Sequence, residues 1–383
     1  MNYLALRRQA LLRALKAGGQ PADTVLVTHP ANVTYLTGYT GDGAYLVLGA
    51  KHAVVVTDTR TEEQVKDECP ELGKDGGLDL HVRGHNTTTP QAAAAVLTKA
   101  GAKAVAVEAA RMTIAELDTF RALAPKAEFV PVNGAIEALR ASKDPGEVEK
   151  IKDAIRVAER AFKMFVATIA ETDTEKEMVD ALEHYVRRCG AKCSSFPPIV
   201  AVGERGALPH AVPTDRPLSE GSKLLVDWGA DLTYKADITR VIRNPYGTLL
   251  TRRNKAERTA HNLDKVYATV LAAQDAAIVE LRHGATAKAV DAAARKVLTA
   301  GGYGDYFTHG LGHGIGLEIH EAPRIRANSD DVLEAGMVVT LEPGVYIPGW
   351  GGVRIEDDFL ITRDGCQRLT TLPRELEPAP PTP

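Results

Sequence analysis

The sequence predicts an α/β domain over residues 1–138, an α+β domain with two pseudo-twofold halves over 139–376, and a Pro-rich tail at 377–383. Three observations carry this. Strand-like and helix-like stretches alternate through the first part of the chain. A strong helix start at Asp144-Pro145-Gly146-Glu147 then opens a second part. Within that part the order helix, helix, strand pair occurs twice.

Leu4 to Lys16 reads as a helix stopped by Gly18-Gly19. β-like runs follow at Thr24–Thr28, Ala44–Leu48, Ala53–Thr57, Ala104–Val107 and Glu128–Val132. Helical stretches near Thr61–Glu68, Gln91–Lys99 and Ile114–Leu123 fall between them, the alternation of an α/β domain. At the boundary Asp144 is the N-cap, Pro145 the first helical residue, and Glu147 closes a capping box. Val148, Ile151, Ile155, Phe162 and Ile169 continue at helical spacing. The same linker is compatible with a loop inside one larger domain. A second helix is boxed by Thr174 and Glu177 and ends at Gly190. A strand pair is expected around Leu224–Ile242, helices over 252–282 and 286–300, and a second strand pair around Val338–Ile361. Identity between the halves is negligible, so their relation rests on element order.

Composition narrows the function. Against 50 Asp and Glu, 46 Lys and Arg leave a formal net charge of −4. That is too near neutral for a dedicated nucleic-acid or anionic-membrane binder. Nowhere do about 18 apolar residues run together, which argues against a membrane span. Arg7, Arg8, Arg13 and Lys16 interrupt the apolar runs at the start, so no signal-peptide core is expected. The four cysteines are too few and scattered for a disulfide scaffold, which points to a reducing, cytoplasmic home. Cys189 and Cys193 read as helix-end thiols.

Two carboxylate pairs carry the chemistry. Leu224-Leu225-Val226-Asp227-Trp228 reads as a buried strand and Tyr234 to Val241 as its return. With a three-residue turn at Asp231-Leu232-Thr233, Asp227 and Asp237 would face each other directly. Like charges buried there need a cation between them. The second hairpin, from Val339 to Asp357, is symmetric about Gly349, so Glu342 would face Glu356 and Arg354 would share the face of Glu356.

The third element runs from His309 through Gly310-Leu311-Gly312-His313-Gly314-Ile315-Gly316 to His320. Its alternating glycines exclude a helix, and with it a zincin site; no dinucleotide-binding register fits either. They leave one strand face bare for another backbone or a substrate. His210, between Pro209 and Ala211, is a further candidate. Four carboxylates and an imidazole form a hard ligand set suited to two divalent ions about 3.5–4 Å apart, and thus to metal-assisted amide hydrolysis.

The order Asp227, Asp237, His313, Glu342, Glu356 resembles the dinuclear metallopeptidases of the pita-bread fold. These include methionine aminopeptidase, Xaa-Pro aminopeptidase (aminopeptidase P) and Xaa-Pro dipeptidase (prolidase). The resemblance extends to Asp237-Ile238-Thr239-Arg240, Leu341-Glu342-Pro343-Gly344-Val345-Tyr346 and Gly352-Val353-Arg354-Ile355-Glu356-Asp357. Asn32 to Gly38 and Lys143-Asp144-Pro145 look like the creatinase/prolidase N-terminal domain. In one departure, the aspartates are ten residues apart where the family more often has eleven, with Thr233-Tyr234 in place of Gly-Tyr.

The resemblance implies that Asp227 and Asp237 bind one metal and that His313 and Glu356 help bind the other, with Asp237 and Glu356 as bridges. It makes Glu342 both ligand and general base. His320 and His210 would hold the scissile carbonyl, and His309 and Arg354 would position the substrate. Two divalent metal ions are implied, manganese foremost, with cobalt or zinc as alternatives. The implied substrates are Xaa-Pro dipeptides, with Xaa-Pro-starting peptides as the alternative, and the implied assembly is a homodimer. The intact ligand set argues against a non-catalytic peptide-binding relative and against metal-free creatinase. Without a glycine fingerprint after the early strands, a dinucleotide oxidoreductase is set aside.

Overall fold

The computed structural model describes residues 3–74, 77–244 and 261–376. The chain divides into two units, Met1–Arg140 and Ala141–Pro383. In the first, the elements run α1 (Tyr3–Ala17), β1 (Thr24–Val27), α2 (Pro30–Thr37), β2 (Tyr45–Gly49), β3 (His52–Thr57), α3 (Glu62–Glu68), β4 (Asp79–Val82), α4 (Thr89–Ala100), β5 (Ala104–Glu108), α5 (Ile114–Leu123), β6 (Glu128–Val132) and α6 (Ala135–Ala141). The six strands form one sheet in the order β4-β3-β2-β1-β5-β6. Pairing of β1–β2 and β2–β3 is antiparallel and the rest parallel. Leu26, Val47, Val56, Leu97, Val105 and Phe120 build the core on one face.

Three elements escape the sequence pattern: β4, α2 and the short α6. Edge strand β4 is nowhere fully buried, so no apolar run marks it. Helix α2 rests on a long-range cap, the Glu108 carboxylate, which accepts from the Thr28 and His29 amides and from Asn32 Nδ2 at 2.6–3.0 Å. That carboxylate lies some eighty residues away in sequence, beyond any local reading.

The second unit opens as expected. Asp144 and Glu147 exchange capping hydrogen bonds of 3.0 Å at the head of α7 (Pro145–Val166). Thr174 and Glu177 do the same for α8 (Glu175–Arg188). Strands β7 (Ile199–Val202), β8 (Lys223–Trp228), β9 (Asp231–Leu232), β10 (Tyr234–Lys235) and β11 (Ile238–Arg243) follow. Next come α9 (Leu263–Glu280) and α10 (Ala287–Ala300). The first part of the expected 252–282 helix and the Pro-rich tail lie outside the described residues. The second half continues with β12 (Gly312–Gly314), β13 (Glu321–Ile325), β14 (Val338–Leu341), β15 (Gly344–Ile347), β16 (Gly351–Arg354), β17 (Asp357–Ile361) and β18 (Cys366–Arg368). Helix, helix, sheet thus occurs twice, giving the two-domain α/β plus α+β architecture. Among the described residues no helix is long and apolar enough to cross a membrane, and all four cysteines are free.

The sheets of the two halves, β11-β8-β7 and β13-β12-β14-β17-β18, meet at one bridge between Thr239 and Glu356. Arg240 secures it. Its guanidinium donates to the Glu356 carbonyl at 2.7 Å, to Asp357 Oδ1 at 2.7 Å, and to the carbonyls of Thr239, Leu372 and Pro373. A buried guanidinium with every donor used fixes both backbones at once.

The turn between the first two aspartates differs from expectation. Leu232 pairs with Tyr234, so the chain reverses at Thr233 alone, at φ +90°. Among the described residues Thr233 is the only non-glycine residue with positive φ. The Asp231 carboxylate stabilises the turn by accepting the Thr233 amide at 2.8 Å. A β-branched residue is strained in this conformation. Thr233→Gly is therefore expected to raise unfolding stability by about 1 kcal/mol. Chemical denaturation tests this; a clear loss of stability would mean that the threonine side chain outweighs the strain.

Candidate metal centre and cleft

The second unit assembles its acidic side chains across neighbouring strands. In the register of β8 and β11, Asp227 stands opposite Thr239, and Thr239 in turn bridges to Glu356. Leu341 pairs with Asp357 and Gly344 with Arg354, which places Glu342 opposite Glu356, as the symmetry about Gly349 implies. Asp227, Thr239, Glu356 and Glu342 therefore form one transverse row. Asp237 does not face Asp227 directly. The single-residue turn at Thr233 shifts the return strand by two residues, which keeps Asp237 on the same face but diagonal to its partner.

His313 enters from β12. Gly312 and Gly314 on either side are required by backbone neighbours: an added Cβ would lie 2.0 Å from the Thr340 carbonyl oxygen and 2.1 Å from that of Ala322. Of the two readings of the glycine pattern, close backbone approach is the one realised. The His313 Nδ1 donates to the Gly314 carbonyl at 3.1 Å, leaving the Nε2 lone pair 3.5 Å from Asp237 and 3.6 Å from Glu342. Burial, with His320 beside it, pushes the imidazole down to about 3, so it is neutral and free to act as a ligand.

The carboxylates strain against each other. Burial first, then the neighbouring acids, pushes Glu356 up to about 8 and holds Asp237 and Glu342 well above the ordinary range. Asp227 Oδ1 is buried with no hydrogen-bond partner. One donor atom each from Asp237, His313 and Glu356 lies within 4.8 Å of the others. A hard oxygen-and-imidazole set with an orphaned carboxylate oxygen fits divalent cations.

Arg354 is the cation built into this row. It donates to Asp227 Oδ2 at 2.5 Å, to Thr239 Oγ1 at 3.0 Å and to the Tyr346 hydroxyl at 2.8 Å. Thr239 Oγ1 in turn donates to Glu356 Oε2 at 2.6 Å. The Tyr346 hydroxyl lies 2.8 Å from His309 Nε2, while His309 Nδ1 donates to the Gly310 carbonyl. Burial, then Arg354, pushes His309 down to about 4, which makes its Nε2 the acceptor for Tyr346. Thr239, Arg240 and Tyr346 went unassigned in the sequence. All three stand inside the motifs that carry the resemblance, but a polar residue within an apolar strand is too common to single any of them out.

Asp227, Asp237, His309, His313, Glu342, Arg354 and Glu356 open onto one cleft of about 790 Å³. His210 and His320 are exposed on it. Phe196, Pro197, Pro209, Val212 and Ile319 supply apolar wall, and Arg324 and Arg326 line another part.

The shifted groups make metal-free stability depend on pH. For Asp237, Glu342 and Glu356 the folded chain binds more protons than the unfolded one, so their contribution is lost as pH rises through the folded values. His313 and His309 act in the opposite direction, but only below the unfolded histidine value of about 6.5. Lys223, which burial pushes down to about 8, counts only above that. Between about pH 6.5 and 8 the melting temperature of chelator-treated protein is therefore expected to fall, and added divalent metal to restore it most at the upper end. A melting temperature that is flat or rises over this window would contradict the charge balance.

Comparison with known proteins identifies the family. Residues 149–363 match metallopeptidase family M24, and residues 7–142 match the creatinase/prolidase N-terminal domain. The Xaa-Pro dipeptidase of Pyrococcus furiosus is 34% identical over 358 residues, covering 92% of this chain and 95% of that one. The solved Xaa-Pro dipeptidase from Bacillus anthracis superposes with a TM-score of 0.85 at 34% identity, over 98% of this chain and 99% of that one. The X-Pro aminopeptidase from Thermotoga maritima gives 0.83 at 31% identity, over 95% and 99%. The chain belongs to metallopeptidase family M24, as an enzyme of pita-bread fold with a creatinase/prolidase N-terminal domain.

Proposed function

We propose that the chain is an Xaa-Pro dipeptidase, hydrolysing the bond before proline in dipeptides with two divalent ions, manganese foremost and cobalt or zinc as alternatives. One observation carries this reading over release of the first residue from longer peptides: the cleft presents Arg324 and Arg326. Both are exposed, and among the described residues neither has an ion-pair partner. Arg324 stands opposite His313 in the β12–β13 register, on the face of the carboxylate row. A dipeptide has its free carboxylate one residue past the scissile bond, within reach of a guanidinium so placed. A longer peptide has a neutral amide there.

In this reading Asp227, Asp237, His313, Glu342 and Glu356 would hold the two ions. Bound there, the ions would lower the pKa of a water molecule and polarise the scissile carbonyl. Glu342 takes the proton of the attacking water and returns it to the proline nitrogen, which has no N–H of its own, as the bond breaks. Its position opposite Glu356 and beside His313 supports that role. His320 and His210 hold the carbonyl oxygen as charge develops on it. Arg354 fixes Asp227 and Thr239, and through Tyr346 it orients His309 toward the substrate. Residues 1–138 would form the N-terminal domain and 139–376 the catalytic one. A cytoplasmic homodimer completes the reading, with the free cysteines in keeping with a reducing compartment.

Hydrolysis of Ala-Pro against Ala-Pro-Ala tests it. Manganese-loaded enzyme is expected to cut the dipeptide and to lose that activity with a chelator. Glu342→Gln is expected to lose about 10²–10⁴-fold in kcat with its fold intact. Preference for the tripeptide would make the enzyme an aminopeptidase, and a near-fully active Glu342→Gln variant would remove the general base.

A further inference from the structure

The His210 segment is held by a carboxylate outside the cleft. Glu175, the first residue of α8, is 0% exposed. Its Oε1 accepts the Val202 amide at 2.8 Å, and its Oε2 accepts the Thr214 amide at 2.9 Å and the Thr214 hydroxyl at 2.7 Å. Arg205 Nε donates to both oxygens, at 3.0 and 2.8 Å. Val202 and Thr214 are the two ends of the loop that carries Pro209, His210, Ala211, Val212 and Pro213 along the cleft. Arg205 also donates to the Val212 carbonyl at 2.6 Å, extending the hold into the loop. His210 is exposed, and among the described residues no hydrogen bond to its ring fixes it. Its place over the row therefore depends on the backbone beneath it.

We propose that Glu175 is a positioning residue for the peptidase reaction: by clamping both ends of the 202–214 loop it sets His210 against the scissile carbonyl. This rests on the role given to His210 above. Only a carboxylate serves, because every group facing it is a donor. A glutamine would turn an N–H₂ toward the Val202 or Thr214 amide and leave that group unsatisfied. The same helix carries an internal control. Glu183 accepts from the Ser194 amide at 3.0 Å, next to Phe196 and Pro197, which also line the cleft in a stretch with no histidine.

The test is a double-mutant cycle on the metal-loaded enzyme, with Ala-Pro as substrate and metal content and melting temperature measured beside it. Glu175→Gln is expected to lower kcat/KM by roughly tenfold, mostly in kcat, with two ions retained. In a His210→Ala background the same change should cost less than about twofold, whereas Glu183→Gln should cost the same with or without His210. Thr214→Val removes a single donor and spares the buried helix start. It should show the same dependence on His210 at a loss of about threefold, and it serves where Glu175→Gln folds poorly. A Glu175→Gln loss that persists in His210→Ala, or no loss at all, overturns the clamp alone. A His210→Ala enzyme of undiminished activity overturns the role of His210, and the route through it.

Discussion

Everything in the second unit depends on bringing together acids that cannot all ionise in one place. Asp227, Asp237, Glu342 and Glu356 converge on a single face, with one built-in guanidinium to balance them. At protein-like dielectric, repulsion between such neighbours is worth several kcal/mol, and burial adds to it. Protons can relieve the strain, as the raised Glu356 value indicates, and divalent cations relieve it better. The centre's chemistry follows from this: an arrangement that is costly without cations becomes, with them, a site for activating water.

The fold delivers that convergence through two hairpins joined edge to edge. Each supplies acids from facing strands, and a single bridge between Thr239 and Glu356 welds them. Arg240 locks the weld from behind while Arg354 and Thr239 orient the carboxylate oxygens in front. A further buried ion pair, Lys143 with Glu321, anchors the segment that carries His320, since the other Glu321 oxygen accepts the Glu318 amide at 3.0 Å. Losing one member of such a pair costs about 3–5 kcal/mol, because it strands the other charge in the interior.

Much of this was legible in the sequence, for identifiable reasons. Glu342 and Glu356 could be paired because the glycine-rich turn between them is symmetric about Gly349, and the strands keep that register on both sides. The Asp144 and Thr174 helix starts could be read because capping boxes are local. In sequence Asp227 and Asp237 read as directly opposite, whereas the structure sets them diagonally, because a threonine gives no warning of the positive φ that moves the turn to Thr233. The Glu108 cap on α2 and the Glu175 clamp were illegible for a common reason. Both are buried carboxylates whose donors arrive from distant segments, and in sequence Glu175 reads as an ordinary first-turn acid.

In the reading proposed above, the carboxylate row holds two cations. Calorimetric titration of chelator-treated protein with manganese tests it most directly. The account predicts two ions bound per chain, with proton release that grows as pH is lowered from about 8 toward neutrality. A single ion per chain, or binding that a Glu356→Ala substitution leaves unchanged, would contradict it.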